Sequence, residues 1–252
     1  AAQFVEAGVA VLAFDYRRFG GSGGAPRQVI DVAMQVDDYC AAVRYARERD
    51  DIDPRRVALW GTSLSGGHVL VVAAGDPGIA AVVSQVPMID GWHRGRTARQ
   101  RLDWEVTWRT MQFAAAAIRD LGGAMLGRDP YLVPVVAERG EVAVFTEQDA
   151  KTAFEVLGGE AVGWQNALAP RMLFALPRYR AGTAEKLHMP VLMCLGDYDL
   201  QASPRFAARV ASAMPNVEMH RYPVGHFDVY AGAVFDEISA AEAEFLHRHL
   251  GS

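Results

Sequence analysis

The stretch Arg56-Val-Ala-Leu-Trp-Gly61-Thr62-Ser63-Leu64-Ser65-Gly66-Gly67 decides the fold, because it joins an apolar strand to a helix through a turn of small residues. Small residues let the strand and the helix pass closely, and the side chain at the apex is then pushed out above the sheet. The pattern predicts a nucleophile elbow with Ser63 at its apex. The alternative is a plain strand-to-helix loop, in which Thr62 or Ser63 caps the helix Ser65–Ala74.

Apolar runs of strand length alternate with helical periodicity on both sides of this turn. The predicted strands are Val9–Phe14, Val57–Trp60, Ala80–Val86, Val191–Leu195 and Val217–Tyr222, and the predicted helices include Val29–Arg49 and Ala233–Leu250. Strands that alternate with helices are typical of an α/β protein. We therefore expect a mostly parallel sheet flanked by helices.

The region between Pro87 and Pro190 differs, because its helical spacing is broken by glycine and proline and it holds little that resembles a strand. We expect an α/β core formed by residues 1–86 and 191–252, with residues 87–190 inserted as a helical cap. Ligands of open α/β sheets bind at the carboxyl ends of the strands, so a cap placed there is expected to lie over the site. Arginines and tryptophans between Trp92 and Arg109 suit a pocket for an anionic or aromatic acyl group, although such residues more often form a solvated face and a packed stripe.

Bulk properties exclude several classes of function. The chain has 252 residues, 51% of them hydrophobic, and a net charge of −5, which suits a globular protein and gives no basic field for nucleic acid. No apolar run reaches the roughly twenty residues that span a bilayer. Cys40 and Cys194 are too few for a disulfide framework and lack metal-site spacing, so both are expected as reduced core residues and no metal or cofactor is expected. Ala1–Gly8 lacks the features of a signal peptide, which favours a soluble, cytoplasmic protein.

The glycine-rich run Gly20–Gly24 follows a predicted strand, as a nucleotide-binding loop would. Pro26 interrupts it where a dinucleotide fingerprint needs a helix, and the Gly-Lys-Ser/Thr ending of a phosphate loop is absent. A plain loop is the better interpretation.

A serine hydroxyl needs a base within hydrogen-bond reach and a third group to hold that base. His226, in Gly225-His-Phe-Asp228 after a predicted strand, is the candidate base, and the alternative is a loop histidine satisfied by Asp228. For the acid we rank Asp199 first, then Asp197 and Asp90, each of which follows a predicted strand. The remaining histidines, His68, His93, His188, His220, His247 and His249, lack such a setting.

Developing charge on a substrate oxygen needs preorganised donors, and the backbone N–H of Leu64 is the candidate for one. In α/β-hydrolases, which the elbow and the chain order Ser, Asp, His resemble, a second donor comes from a loop that precedes the strand corresponding to Val9–Phe14. We expect further strands upstream of Ala1, roughly forty or more residues in all, and an inactive fragment if they are absent.

These motifs together resemble a serine hydrolase of the α/β-hydrolase superfamily, in the branch of bacterial acetyl xylan esterase-like and X-Pro dipeptidyl-peptidase-like proteins. The matching stretches are Phe14–Ser22, similar to a loop written D-Y-R-G-F-G-x-S, and Leu59–His68, Gly196–Asp199, Gly225–Asp228, Tyr131–Val136 and Trp164–Asn166. The chain departs from the family pattern at Arg18, where glycine is usual, and at Ser65, where the elbow normally has its second glycine. The resemblance implies the chain order Ser, Asp, His for the catalytic residues.

Two functions remain open on the sequence alone. The first is a cofactor-free hydrolase of a carboxylic ester or related acyl bond, with peptides and thioesters also possible substrates, that acts on a small molecule through Ser63, His226 and Asp199. The second is a non-catalytic protein of this fold, or an inactive fragment. Acyl transfer to an alcohol is a third option. The sequence does not determine the oligomeric state.

Overall fold

The computed structural model describes residues 1–93, 95, 104–157 and 164–251, which form two compact units. The first unit contains the described residues of Ala1–Phe14, Val36–Gly95 and Pro177–Ser252, and the second contains those of Asp15–Gln35 and Arg96–Leu176. The predicted cap boundaries, 87–190, and the position of a cap over the site stay predictions. Arg94 and residues 96–103, part of the suggested Trp92–Arg109 pocket, lie outside the described residues.

Helices and strands alternate along the chain as the sequence predicts. In order they are α1 Ala2–Glu6, α2 Val32–Arg47, β1 Ala58–Thr62, α3 Leu64–Gly75, β2 Ala81–Gln85, α4 Trp104–Met125, α5 Gln148–Val156, β3 Val191–Gly196, α6 Pro204–Ala211, β4 Val217–Tyr222 and α7 Gly232–Leu250. Short 3₁₀ helices lie at Pro170–Ala175, Ala184–Lys186 and Asp228–Tyr230. Helix α2 begins three residues later than expected, where the Asp31 carboxylate accepts the Met34 N–H at 3.1 Å and caps the first turn.

Four parallel strands form the sheet in the order β1-β2-β3-β4. The two central strands are buried along their whole length, as expected when helices cover both faces of a parallel sheet. Alternate residues of these strands enter opposite layers of the core, with Val82 and Met193 in one layer and Val83 and Leu192 in the other. The predicted parallel sheet is confirmed. Its carboxyl edge gathers the loops after β1, β3 and β4.

The expected strand Val9–Phe14 is wrong. This segment is not part of the four-stranded sheet, and Val11 and Leu12 are 41% and 48% exposed. A continuous apolar run fits a buried strand, but a strand also needs a hydrogen-bonded neighbour, and periodicity does not supply that information. Phe14 packs edge-on against Tyr39 with 5.2 Å between the ring centroids.

The loop Asp15–Gln28 of the second unit is held by its own hydrogen bonds. The Asp15 side chain accepts the Gly21 N–H at 2.8 Å, and the Ser22 hydroxyl donates to the Asp15 carbonyl at 2.6 Å. Arg18 adopts a φ of +73°, a conformation that favours glycine. This explains why glycine is usual at the position of Arg18.

Two segments of the second unit that resemble the family pattern meet each other. The Asn166 side chain accepts the N–H groups of Val135 and Val136 at 2.9 and 3.0 Å, and donates to the Val136 carbonyl at 2.8 Å. Asn166 therefore acts as a clamp on the segment Tyr131–Val136, a role that the sequence did not reveal.

A buried ion pair joins α4 to the 3₁₀ helix Pro170–Ala175. Arg171 donates to both carboxylate oxygens of Asp120, at 2.7 and 2.9 Å, and the backbone N–H groups of Tyr131 and Arg171 donate to the same carboxylate. The Asp120 side chain has no exposed surface. Such a charge is tolerated in a core because every carboxylate oxygen is hydrogen-bonded.

Candidate active site

Ser63 lies between β1 and α3 with φ +55° and ψ −117°, a left-handed conformation that is costly for a residue with a side chain. Its backbone is fixed on both sides, since its N–H donates to the Gln85 carbonyl at 2.9 Å and its carbonyl accepts the Met88 N–H at 2.8 Å. A side chain at Gly61 or Gly67 would collide with the backbone of Ser65 or Met88. The small residues of this turn are therefore required by close backbone contacts, as the sequence pattern predicts.

Ser65 takes part in holding this turn. Its hydroxyl donates to the Thr62 carbonyl at 2.8 Å and accepts the Thr62 N–H at 3.0 Å. The close approach to the strand is made by the two following glycines, Gly66 and Gly67, which lie against residues 85–89. The departure from the usual motif is thus compatible with the turn, because Ser65 lies in helical backbone and adds two hydrogen bonds.

A continuous chain of hydrogen bonds connects three of the predicted site residues. The Ser63 Oγ lies 2.8 Å from His226 Nε2, and His226 Nδ1 lies 2.6 Å from Asp199 Oδ2. The other Asp199 oxygen accepts the N–H groups of Gln201 and Ala202 at 2.7 and 2.8 Å. These two N–H groups hold the Asp199 carboxylate in place, and a carboxylate oxygen beside Nδ1 favours the tautomer with its proton on that nitrogen. Nε2 is then an acceptor that faces the Ser63 hydroxyl.

Neither alternative acid lies in this chain of hydrogen bonds. Asp197 pairs with Arg221, whose Nε is 2.8 Å from the carboxylate. Asp90 accepts the N–H groups of Trp92 and Tyr179 at 2.9 and 3.1 Å. Burial is the largest single effect on the pKa of Asp90 and raises it, but the hydrogen bonds together outweigh burial, so the pKa is lowered. Asp228 accepts the Gly225 N–H at 2.7 Å and so stabilises the turn that carries the histidine.

The start of α3 places positive electrostatic potential beside Ser63. Leu64 is the first residue of the helix, where backbone N–H groups have no acceptor within the helix. The N-terminal end of the helix dipole adds to this potential. The Leu64 N–H is thus well placed to stabilise negative charge that forms near the Ser63 hydroxyl. His68, one turn further on, is buried, and burial lowers its pKa to about 4, so it packs as a neutral side chain.

A contact that sequence reasoning missed ties the histidine loop to the elbow. The Tyr230 hydroxyl lies 2.8 Å from the Thr62 Oγ1. Thr62 directly precedes Ser63 in the chain, and Tyr230 follows His226 by four residues. Burial raises the pKa of Tyr230 to about 12, so the phenol stays protonated. Tyr230 followed the histidine motif in the sequence, but no spacing rule links it to Thr62.

In the part of the chain that the structure describes, no group of three or more His, Cys, Asp or Glu side chains is arranged to hold a metal ion.

Cys194 is buried in β3 and Cys40 is half-buried in α2, and both are free thiols. Burial raises the pKa of both, so neither thiol is activated as a nucleophile. No helix among the described residues has the length and apolar character that crossing a membrane requires.

Similarity to known proteins extends over most of the chain. The sequence profile of the X-Pro dipeptidyl-peptidase (S15) family matches residues 1–228. The quorum-quenching protein AidA of Acinetobacter baumannii is 39% identical over 249 residues, which cover 98% of this chain and 80% of AidA. The thiohydrolase apmlB of Arthrinium phaeospermum is 30% identical over 167 residues, which cover 66% of this chain and 51% of that protein.

Solved structures share the fold. The α/β hydrolase GrgF from a Penicillium species superposes with a TM-score of 0.71 at 22% identity, covering 94% of this chain and 79% of GrgF. The monoacylglycerol lipase of Paleococcus ferrophilus gives a TM-score of 0.63 at 17% identity, covering 98% of this chain and 87% of the lipase. The α/β-hydrolase fold predicted from the sequence is confirmed.

Proposed function

Because the chain belongs to the X-Pro dipeptidyl-peptidase (S15) family and is a hydrolase of the α/β-hydrolase fold that acts on acyl bonds, we propose that it cleaves a carboxylic ester or related acyl bond through Ser63, His226 and Asp199. The observation that carries the proposal is the unbroken hydrogen-bond chain from Asp199 through His226 to the Ser63 hydroxyl.

The first half of the reaction forms an acyl-enzyme. Ser63 Oγ attacks the acyl carbon while its proton moves to His226 Nε2, and the resulting imidazolium is stabilised by the Asp199 carboxylate at Nδ1. The carbonyl π electrons move onto the substrate oxygen, which becomes an oxyanion near the Leu64 N–H. When the carbonyl reforms, the bond to the leaving group breaks, and His226 returns its proton to the leaving oxygen, sulfur or nitrogen.

The second half releases the acid. A water molecule gives a proton to His226 Nε2 and attacks the acyl carbon, and the bond to Ser63 Oγ then breaks with the proton returned to the serine. No metal or redox cofactor is needed to balance these steps. Activation rests on geometry, since a serine hydroxyl is a weak nucleophile at its ordinary pKa and requires an adjacent base.

The comparisons favour a small acyl compound as substrate. One relative is named a thiohydrolase, which favours a thioester among the acyl substrates considered for this chain. Related proteins named polyketide transferase and acyltransferase favour acyl transfer as the second candidate function. In that reaction an alcohol replaces water at the acyl-enzyme, and product analysis with a competing alcohol separates the two functions.

The first test is covalent labelling of the purified chain with a fluorophosphonate, read by intact mass. We expect one adduct on the parent, one on Ser65→Ala, and none on Ser63→Ala. Ser65→Ala is the matched control, since it removes a hydroxyl from the same turn. Absence of an adduct on the parent, or labelling of Ser63→Ala, would contradict the proposal and favour a non-catalytic protein. Hydrolysis of esters, lactones, thioesters and X-Pro amides then defines the substrate class.

A further inference from the structure

Helix α4 of the second unit is apolar on two opposite faces. One face is buried within this unit, where Ala116, Ala117 and Asp120 pack toward the 3₁₀ helix Pro170–Ala175. A helix on a protein surface ordinarily presents polar residues on the side away from its own core. A helix with apolar residues on both sides is usually covered by other protein surface on both sides.

The second face carries apolar or small residues at alternating spacings of four and three. We call this set the α4 stripe; it consists of Trp104, Trp108, Met111, Ala115, Ile118, Gly122 and Met125. At 100° per residue the stripe is centred on the side of the helix opposite to the buried face. Its large side chains are exposed: Trp104 by 74%, Ile118 by 64% and Met125 by 81%. The spacing of four and three is the one by which helices pack along each other.

The exposed area of this face matches what a stable dimer requires. Together with the neighbouring exposed Leu121 and Leu126, the large side chains of the stripe offer on the order of 700 Å² of apolar surface. A standard protein interface buries about 800 Å² on each partner. The stripe itself contains no charged residue, so its own side chains bring no unpaired charge into a contact between two copies.

Gly122 supplies an independent observation. A side chain built at Gly122 would meet no atom of the described residues within 4 Å, so packing among those residues does not require glycine there. Glycine within a helix is destabilising relative to alanine. On the α4 stripe, a residue without a side chain allows the backbone of a partner helix to approach closely.

We infer that the α4 stripe is the contact face of a homodimer, in which the stripe of one copy packs along the stripe of a second copy. The stripe is suited to a symmetric contact, because the same apolar surface is presented by both copies. The inference does not depend on the catalytic proposal, since its measurement is the mass of the particle and not an activity.

The test is sedimentation velocity of the full chain between about 1 and about 100 µM, a range in which dimer formation depends on concentration. We expect a species of twice the chain mass for the parent. Ile118→Glu and Met111→Glu each place a charge in the contact, and we expect each to raise the dissociation constant at least about a hundredfold. The matched control is Val156→Glu, which also introduces a charge at an exposed apolar position, 57% exposed, on α5 of the same unit, and this variant should stay dimeric.

Circular dichroism and thermal melting of each variant check that the fold is intact, as expected for changes at exposed positions. A parent that stays monomeric over the whole range overturns the inference, and acyl-ligand or lipid binding by the stripe would then be the explanation of its exposure. A dimer that survives both stripe variants shows that another face makes the contact. Dissociation by Val156→Glu as well would show that the effect does not depend on the stripe.

Discussion

Glu242 on α7 gives the folded protein a built-in dependence of stability on pH. The residue is 2% exposed, and Trp60 Nε1–H donates to one carboxylate oxygen at 2.8 Å, while the other oxygen accepts no hydrogen bond from a described residue. One hydrogen bond does not compensate for loss of hydration, and burial therefore raises the pKa of Glu242 from 4.5 to about 7. Between these two values the folded state holds a proton that the unfolded state has released.

The sign and the size of the effect follow from this difference. A carboxyl whose pKa is raised in the folded state favours folding most below about pH 4.5, and this contribution is lost as the pH rises through about 7. The loss between about pH 5 and about pH 8 amounts to 2 to 3 kcal/mol, on the order of a quarter of a typical domain's unfolding free energy. Glu242→Gln removes the titration while keeping an oxygen acceptor for Trp60.

The assay is urea denaturation of the parent and of Glu242→Gln at several pH values in this range. From acid to alkaline pH, we expect the unfolding free energy of the variant to rise relative to that of the parent by about 2 to 3 kcal/mol. A constant difference caused by the amide itself does not affect this change. His68, with its pKa lowered to about 4, titrates in both proteins, so the difference between them cancels its effect. Glu244→Gln, an exposed change on the same helix, is the control and should follow the parent. Parallel profiles for parent and Glu242→Gln would refute the reasoning.

Three further outcomes are expected. Asp199→Asn should lower kcat on an ester substrate by about 10³–10⁴-fold, because the imidazole loses the partner that fixes its tautomer, and a loss below tenfold would argue against this acid. Tyr230→Phe removes the hydroxyl that faces Thr62 and should lower kcat several-fold with little change in KM; steady-state kinetics distinguish this from a defect in substrate binding. Asp120→Ala leaves the partly buried Arg171 without its partner and should cost about 3–5 kcal/mol in urea denaturation, whereas a cost under 1 kcal/mol would show that the pair is not needed.

Local pattern was sufficient for the parts of the site that are set by short-range geometry. The elbow was predictable because the small residues Gly61 and Gly66 flank Ser63 at the end of an apolar strand, and a turn of this kind leaves few other arrangements. The sequence also ranked Asp199 ahead of its neighbour Asp197, and in the structure only Asp199 lies against His226. The catalytic roles of these residues stay predictions that the labelling and kinetic tests address.

Other features depend on partners that a linear pattern does not identify. Val9–Phe14 has the composition of a buried strand, yet pairing with a neighbour decides whether a strand forms. The contact of Thr62 with Tyr230 and the clamp by Asn166 are hydrogen bonds between residues far apart in sequence. Side chains of these types bond to many partners, so their identity alone specifies none.

The bond between Thr62 and Tyr230 has a consequence for how variants of the site are interpreted. It fixes the distance between the elbow and the histidine loop without using Ser63 Oγ or His226 Nε2, the two protein atoms that would exchange a proton. Removal of the Ser63 hydroxyl or of the His226 ring therefore leaves the two loops connected by the hydrogen bond between Thr62 and Tyr230. Inactive variants of this protein should consequently keep the geometry of the site, so that an uncleaved substrate bound in them can be studied by crystallography.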